Sequence, residues 1–248
     1  MGRDPWAIAA AASALAASSV LPAQVPCFGP PAASLAEFKR RQDIDETLAR
    51  YWRGLDGFKV NDEEAVMRSS GDYAGTYGEC TEDGARAIFA ALGLSDDAVF
   101  ADLGSGVGKL AAQCYVECGV AKAIAVELCS ERHDRAVEAW RRLVVSSDAT
   151  ALRKDFDPNG VEFRNADLLD LDLSDVSHAF ASNLCFDQRA VDKLAARLAI
   201  APRLRAVAAL RPLPGLGEQQ PDKIRARMTW SPALGGTTVY VYRQSINE

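Results

Sequence analysis

The sequence predicts an α/β protein built around a doubly wound, largely parallel sheet, and three features carry that prediction. Short apolar runs alternate with helical segments from Ala98 to Leu210, the pattern of βαβ units whose sheet is covered on both faces. The first run leads into the glycine-dense stretch Asp102-Leu103-Gly104-Ser105-Gly106-Val107-Gly108. Acidic residues, Asp102, Glu127 and Asp167, close three successive runs. The 248 residues accommodate one large domain, or a domain with a small appendage. At 48% hydrophobic and 25% charged, the chain is neither disordered throughout nor a multi-span membrane protein. The net charge is -6 and the pI about 5.1, which excludes a general electrostatic grip on phosphate backbones.

Residues 1–33 stand apart as a low-complexity leader. Ala7 to Leu21 is alanine-rich and uncharged, and at about fifteen residues it falls short of the ~20 needed to span a bilayer. Ala14-Leu15-Ala16 offers the small residues of a cleavage site, so a targeting segment stays open beside a plain leader. Ser34 and Glu37 form a capping box that opens a helix carrying Leu35, Phe38, Leu48, Tyr51, Trp52 and Leu55. Gly54, Gly57, Gly71, Gly75 and Gly78 then mark loop. Thr81 caps a helix whose Ile88, Phe89 and Leu92 face inward and which Gly93 ends.

Ala98 to Ala101 is the first strand, Leu110 to Glu117 its helix, and Ala123 to Val126 the second strand. Ser130 caps a helix with Ala136, Val137, Trp140 and Val144, and a third strand runs from Val161 to Asp167. Ala179 to Ser182 is the fourth strand, Val191, Leu194 and Leu198 mark a helix, and Arg205 to Leu210 is the fifth strand. Ile224 to Trp230 and Thr237 to Tyr242 alternate apolar with polar around Gly235-Gly236, an antiparallel hairpin at the sheet edge.

The six cysteines, at 27, 80, 114, 118, 129 and 185, form no C-x-x-C pair, and His133 and His178 are the two histidines, so no zinc site is expected. They read as reduced thiols of an intracellular protein; Cys114 and Cys118, four apart, either share a metal or pack in the core.

Glycines at 104, 106 and 108 let the backbone turn tightly and a ligand approach its N–H groups at a helix start. The spacing differs from the dinucleotide fingerprint G-x-G-x-x-G and resembles the first motif of the class I S-adenosylmethionine methyltransferases. Glu127 at a strand end can accept both ribose hydroxyls, a placement shared by dinucleotide and methyltransferase folds, or it is a surface cap. Asp167 can accept an adenine amino group with Leu168 over the ring, or it is a surface cap. After the fourth strand, Asn183-Leu184-Cys185-Phe186 offers an amide oxygen to a reacting amine and an aromatic wall, or a strand-end cap and a core phenylalanine. Many amino-group methyltransferases place two prolines between the corresponding residues; this chain has none there.

Tyr77-Gly78-Glu79-Cys80-Thr81 followed by Phe100-Ala101-Asp102-Leu103-Gly104-Ser105-Gly106-Val107-Gly108-Lys109 resembles the catalytic domain of the non-SET histone-lysine methyltransferases, the disruptor-of-telomeric-silencing family. The likeness runs from about Ser34 to Arg243 and is strongest from Tyr77 to Ala136. It implies a seven-stranded Rossmann-like methyltransferase core over 96–248, under a helical cap and cofactor-covering loop over 34–95. It further implies that Tyr77, Glu79, Cys80, Asp102, Gly104, Ser105, Gly106, Gly108, Glu127, Asp167 and Leu168 hold S-adenosyl-L-methionine, and that Asn183, Phe186 and Tyr77 face the acceptor lysine. Cys80, Leu168 and Leu184-Cys185 depart from the family's threonine, phenylalanine and Phe-Ala.

The resemblance implies a histone or nucleosome substrate and a nuclear location, whereas a targeting leader would imply an organelle or the cytoplasm. Lys39-Arg40-Arg41 and the scattered Arg203, Arg205, Arg225 and Arg227 read as solvated faces rather than a DNA grip. An apolar channel of Tyr77, Phe186 and Trp230 would favour a neutral amine by desolvation, with no histidine as base. Two alternatives stay open: transfer to a nucleic-acid base or a non-histone protein, and a non-catalytic module that binds the cofactor.

Overall fold

The computed structural model describes residues 35–60, 77–217, 220–231 and 235–244; the leader, the Ser34 capping residue, Cys27, Gly71 and Gly75 lie outside them. Seven strands form one sheet: β1 Val99–Leu103, β2 Lys122–Glu127, β3 Val161–Asn165, β4 His178–Ala181, β5 Ala206–Ala209, β6 Asp222–Ala226 and β7 Thr237–Arg243. Their order is β3-β2-β1-β4-β5-β7-β6. Strands β1 to β5 pair in parallel, while β7 lies antiparallel between β5 and β6, so the predicted hairpin closes the sheet edge. The crossover from β3 back to β4 on the far side of β1 puts a topological switch point beside β1, where α/β sheets open a crevice at their carboxyl ends.

Successive residues of β1 serve opposite faces. Phe100 joins one apolar cluster with Leu48, Ile88, Phe89, Tyr115 and Trp140, while Ala101 and Leu103 join another with Val126, Val191, Leu194 and Leu198. The helices α1 Leu35–Tyr51, α2 Glu82–Leu92, α3 Lys109–Gln113 and α4 Ser130–Val144 precede the short α5 Asp148–Leu152 and α6 Gln188–Ala199. In α1 the buried residues are Ile44, Thr47 and Leu48, and Trp52 follows them; Leu35 and Phe38 are exposed. The segment 41–60 and the core strands fall within one compact unit, Arg41–Glu248.

Several boundaries differ from the sequence reading. The helix expected over 110–117 is split, α3 giving way to a π turn at Cys114–Cys118 that keeps Cys114 buried. Among the described residues no group of side chains could hold a metal ion there. Ser130 is the first residue of α4 rather than its cap; the cap position is Cys129. Strand β3 stops at Asn165, so Asp167 belongs to the following turn. No described helix is long and apolar enough to cross a membrane.

Helix α2 behaves as read. Thr81 accepts from the Gly84 N–H at 3.1 Å, and Gly93 ends the helix at a φ of 68°. Its first turn lies so close to the chain after β6 that a Cβ on Gly84 would stand 2.0 Å from the Arg227 carbonyl oxygen. Alanine gains about 1 kcal/mol of helix propensity over glycine, yet a backbone clash of this depth costs more. Gly84→Ala is therefore expected to lower stability by roughly 2–3 kcal/mol in urea unfolding, and an unchanged or raised midpoint would contradict the packing.

Candidate active site

The glycine stretch forms the turn between β1 and α3 at the carboxyl edge of the sheet. Gly104 and Ser105 both donate to the Val126 carbonyl, at 3.0 and 2.9 Å, and Gly108 donates to Ser105 at 2.9 Å. Gly106 donates to Glu127 Oε2 at 2.8 Å, while Cys129 donates to Oε1 at 2.9 Å. The loop thus spends these N–H groups on the protein, where the sequence reading had them facing a ligand. Its Cα atoms at Gly106 and Gly108 are covered by the protein itself, while Gly104 and Ser105 are half-buried. Gly106 at φ 56° and Gly108 at φ 72° adopt backbone that a side chain disfavours, and a Cβ on Gly108 would meet Phe163 at 2.5 Å.

Asp102, on β1, is 2% exposed, and its Oδ2 has no hydrogen-bond partner. Burial, and then the charge of Glu127, push its carboxyl up to about 8. Two carboxyl groups buried side by side, one with an orphaned oxygen, suit a ligand that brings a cation.

Tyr77, Glu79 and Cys80 come to this loop from the far side. The chain there runs antiparallel beside residues 227–229: Cys80 bridges to Met228, Glu79 N–H donates to Thr229 Oγ1 at 3.0 Å, and Thr229 N–H donates to the Glu79 carbonyl at 2.9 Å. The Tyr77 ring lies directly on Gly106, where a Cβ would stand 2.4 Å from its Cε2. Its hydroxyl donates to Glu79 Oε1 at 2.7 Å. Burial, then the Glu79 charge, hold the phenol well above its ordinary range, so Tyr77 stays protonated and serves as a wall. Burial, followed by the charges of Asp102 and Glu82, likewise pushes the Cys80 thiol up, which makes it an unreactive neighbour of Asp102.

Phe186 approaches the same loop from β4; its Cζ would be 3.7 Å from a Cβ on Gly104. Asn183 is fully buried and pairs both ways with Arg211, accepting from its N–H at 2.8 Å and donating to its carbonyl at 3.3 Å. Its amide therefore fixes the turn that carries Phe186, the strand-end cap that the sequence leaves open beside a role facing an amine. Asp167 accepts from the Leu169 N–H at 2.8 Å and caps the short 3₁₀ turn Leu168–Asp170, with Leu168 half-buried at its start. Trp230 lies against Gly78, its Cε3 2.3 Å from where a Cβ would be.

Three contributors carried no sequence signal. Trp52, read as a core residue, donates from Nε1 to the Val107 carbonyl at 2.7 Å and pins the glycine loop from outside. Phe58 meets the Tyr77 ring edge-on at 5.0 Å, and the Arg132 guanidinium covers its face at 4.8 Å.

The sequence profile of the histone methylation protein DOT1 family matches residues 68–204, more than half of the chain. The chain belongs to the DOT1 family. With that membership the seven-stranded fold is that of a class I S-adenosylmethionine-dependent methyltransferase, and S-adenosyl-L-methionine is the cofactor. The buried pair Asp102 and Glu127 fits it: Asp102 would hold the ammonium of the methionine part, and the free lone pairs of Glu127 would take ribose hydroxyls. Among solved structures, a candidate RNA methyltransferase from Pyrococcus horikoshii has the same fold. It aligns with a TM-score of 0.50 and 15% identity over 82% of this chain and 98% of its own. An RNA methyltransferase from Salinibacter ruber, solved with S-adenosyl-L-homocysteine, aligns with a TM-score of 0.42 and 19% identity over 66% and 95%. No curated protein matches the chain.

Proposed function

We propose that this methyltransferase of the DOT1 family acts on lysine amines of a protein, with histones as the substrate class and the nucleus as the place of action. The observation that carries the reading is the pair of aromatic walls on one glycine loop, Tyr77 on Gly106 and Phe186 at Gly104, standing above two buried carboxyl groups. When bound, S-adenosylmethionine supplies a sulfonium methyl to an in-line nucleophile. A lysine amine, with a pKa near ~10.4, is mostly protonated in water and must release that proton to bulk solvent as it enters. Tyr77 and Phe186 favour the neutral amine by excluding water, and Tyr77, held in its phenol form by burial, aligns without taking the proton. Asn183 contributes by locking the Phe186 turn to Arg211.

The basic side chains on the outside favour a protein substrate over a nucleic acid. Arg203, Arg205 and Arg227 face Asp175, Asp97 and Asp83 at 3.2, 2.9 and 3.9 Å, so their charge is met within the chain. A nucleosome would then be engaged through its lysine-bearing tail or through a helper protein. The test offers labelled S-adenosylmethionine in parallel to nucleosomes, free histones, nucleic acid and a cell extract, with Phe186→Ala as control. Label on histone lysines, reduced at least tenfold by the substitution, is expected. Label confined to nucleic acid or to other side chains overturns the lysine reading, and cofactor binding without transfer to any acceptor overturns catalysis.

A further inference from the structure

We infer that Arg132 is a positioning residue for cofactor retention, fixing Tyr77 against the glycine loop by gripping both the ring of Tyr77 and the carbonyl of Gly57. Arg132 sits in the first turn of α4 and is 3% exposed. Its Nε donates to the Gly57 carbonyl at 3.0 Å, and its guanidinium lies 4.8 Å from the Tyr77 ring centre. One turn on, Arg135 donates to the carbonyls of Asp56 and Lys59 at 2.5 and 2.6 Å, so the strap 56–59 is tied to α4 at three carbonyls.

The strap in turn presses on Tyr77. A Cβ on Gly57 would stand 2.4 Å from the ring's Cζ, and one on Gly106 would stand 2.4 Å from its Cε2. The ring is therefore clasped between two bare backbones, Gly57 outside and Gly106 inside, with Arg132 on its face and Phe58 at its edge. A guanidinium stacked on an aromatic face and desolvated there attracts it through the ring quadrupole, and its buried hydrogen bond has no water to replace it. Any ligand lying against the Gly104–Gly108 backbone shares that backbone with Tyr77, so loosening Tyr77 loosens the ligand.

The inference rests on the cofactor occupying this loop, and the experiment separates the two. Dissociation of S-adenosylhomocysteine from the full chain is followed by stopped-flow fluorescence for the wild type, Arg132→Met, Arg132→Lys and Gly57→Ala. Arg153→Met is the matched control: Arg153 also covers a tyrosine, Tyr115, at 4.1 Å and donates to the Tyr115 and Val120 carbonyls, but it lies away from the glycine loop. Arg132→Met and Gly57→Ala are expected to raise the dissociation rate roughly tenfold or more, Arg132→Lys to restore part of the loss, and Arg153→Met to lower the melting temperature without changing the rate. Gly57→Ala keeps the arginine, so it reads the latch even if Arg132→Met folds poorly. An unchanged rate in Arg132→Met and Gly57→Ala, or an equal rise in Arg153→Met, overturns the inference. A wild type that takes up no S-adenosylhomocysteine overturns the cofactor site itself.

Discussion

Asp102→Asn is expected to make the ligand-free protein more stable and its hold on the cofactor weaker. The carboxyl is buried beside Glu127 with one oxygen unpartnered, and the two effects push its proton affinity up to about 8. An unfolded aspartate titrates near ~3.9, so the folded chain holds a proton that the unfolded chain has released across that interval. For a group raised on folding, the contribution is fully present below the unfolded value and is lost as pH climbs through the folded one. Wild-type stability should therefore drain away between about pH 4 and 8, at about 1.4 kcal/mol per unit. The asparagine variant lacks that slope. Its advantage grows from nothing near pH 4 to about 5 kcal/mol by pH 8 and then stays flat, a rise of roughly 2–4 °C in melting temperature per kcal/mol.

Binding runs the other way. A cationic ligand group wants the carboxylate, so Asp102 must give up its proton on binding; wild-type affinity should rise toward pH 8, and calorimetry at pH 7 in buffers of different ionisation heat should register proton release. Asp102→Asn should bind ten- to a hundredfold more weakly at pH 8 and release no proton, since a charge-assisted hydrogen bond is worth about 1.5–3 kcal/mol. Unaltered affinity with unaltered proton release would remove Asp102 from the site.

How much of this was legible beforehand follows from which signals are local. The parallel order of the core, the hairpin, the Thr81 cap and the Gly93 stop all rest on period and turn chemistry within a few residues, and the structure carries them. Glu127 was readable as a strand-end acid, but its grip on the Gly106 and Cys129 N–H groups is a meeting across a turn that no spacing announces. Asn183 reads either as an amide facing an amine or as a strand-end cap, and only the tertiary meeting with the Arg211 backbone, which engages both its oxygen and its nitrogen, makes it a cap here. The end of the third strand differs for a simpler reason: β3 lets go at Asn165, and Asp167, two residues past it, takes the cap role that the sequence leaves open for it. Trp52 and Arg132 were invisible because an aromatic at helical spacing and an arginine in a first helical turn have ordinary explanations, and only tertiary placement brings them to the loop.

The second large effect belongs to Glu127→Gln, and it opposes the first. One carboxylate now accepts from two backbone N–H groups; a glutamine turns an NH₂ toward one of them, leaving two donors face to face in a buried place. The expected loss is about 2–4 kcal/mol of stability and at least a hundredfold in cofactor affinity, because the same substitution loosens Gly106 and weakens the acceptor for the ribose. Asp102 should remain raised, since burial is the larger cause, but should titrate lower once the neighbouring charge is gone. The combination is the decisive case. The repulsion between the two carboxyl groups can be relieved only once, yet each single substitution relieves it, so the double variant above pH 8 should be less stable than the sum of its parents' shifts. Additivity there would mean that the two carboxyl groups do not feel one another, and that Asp102 owes its raised proton affinity to burial alone.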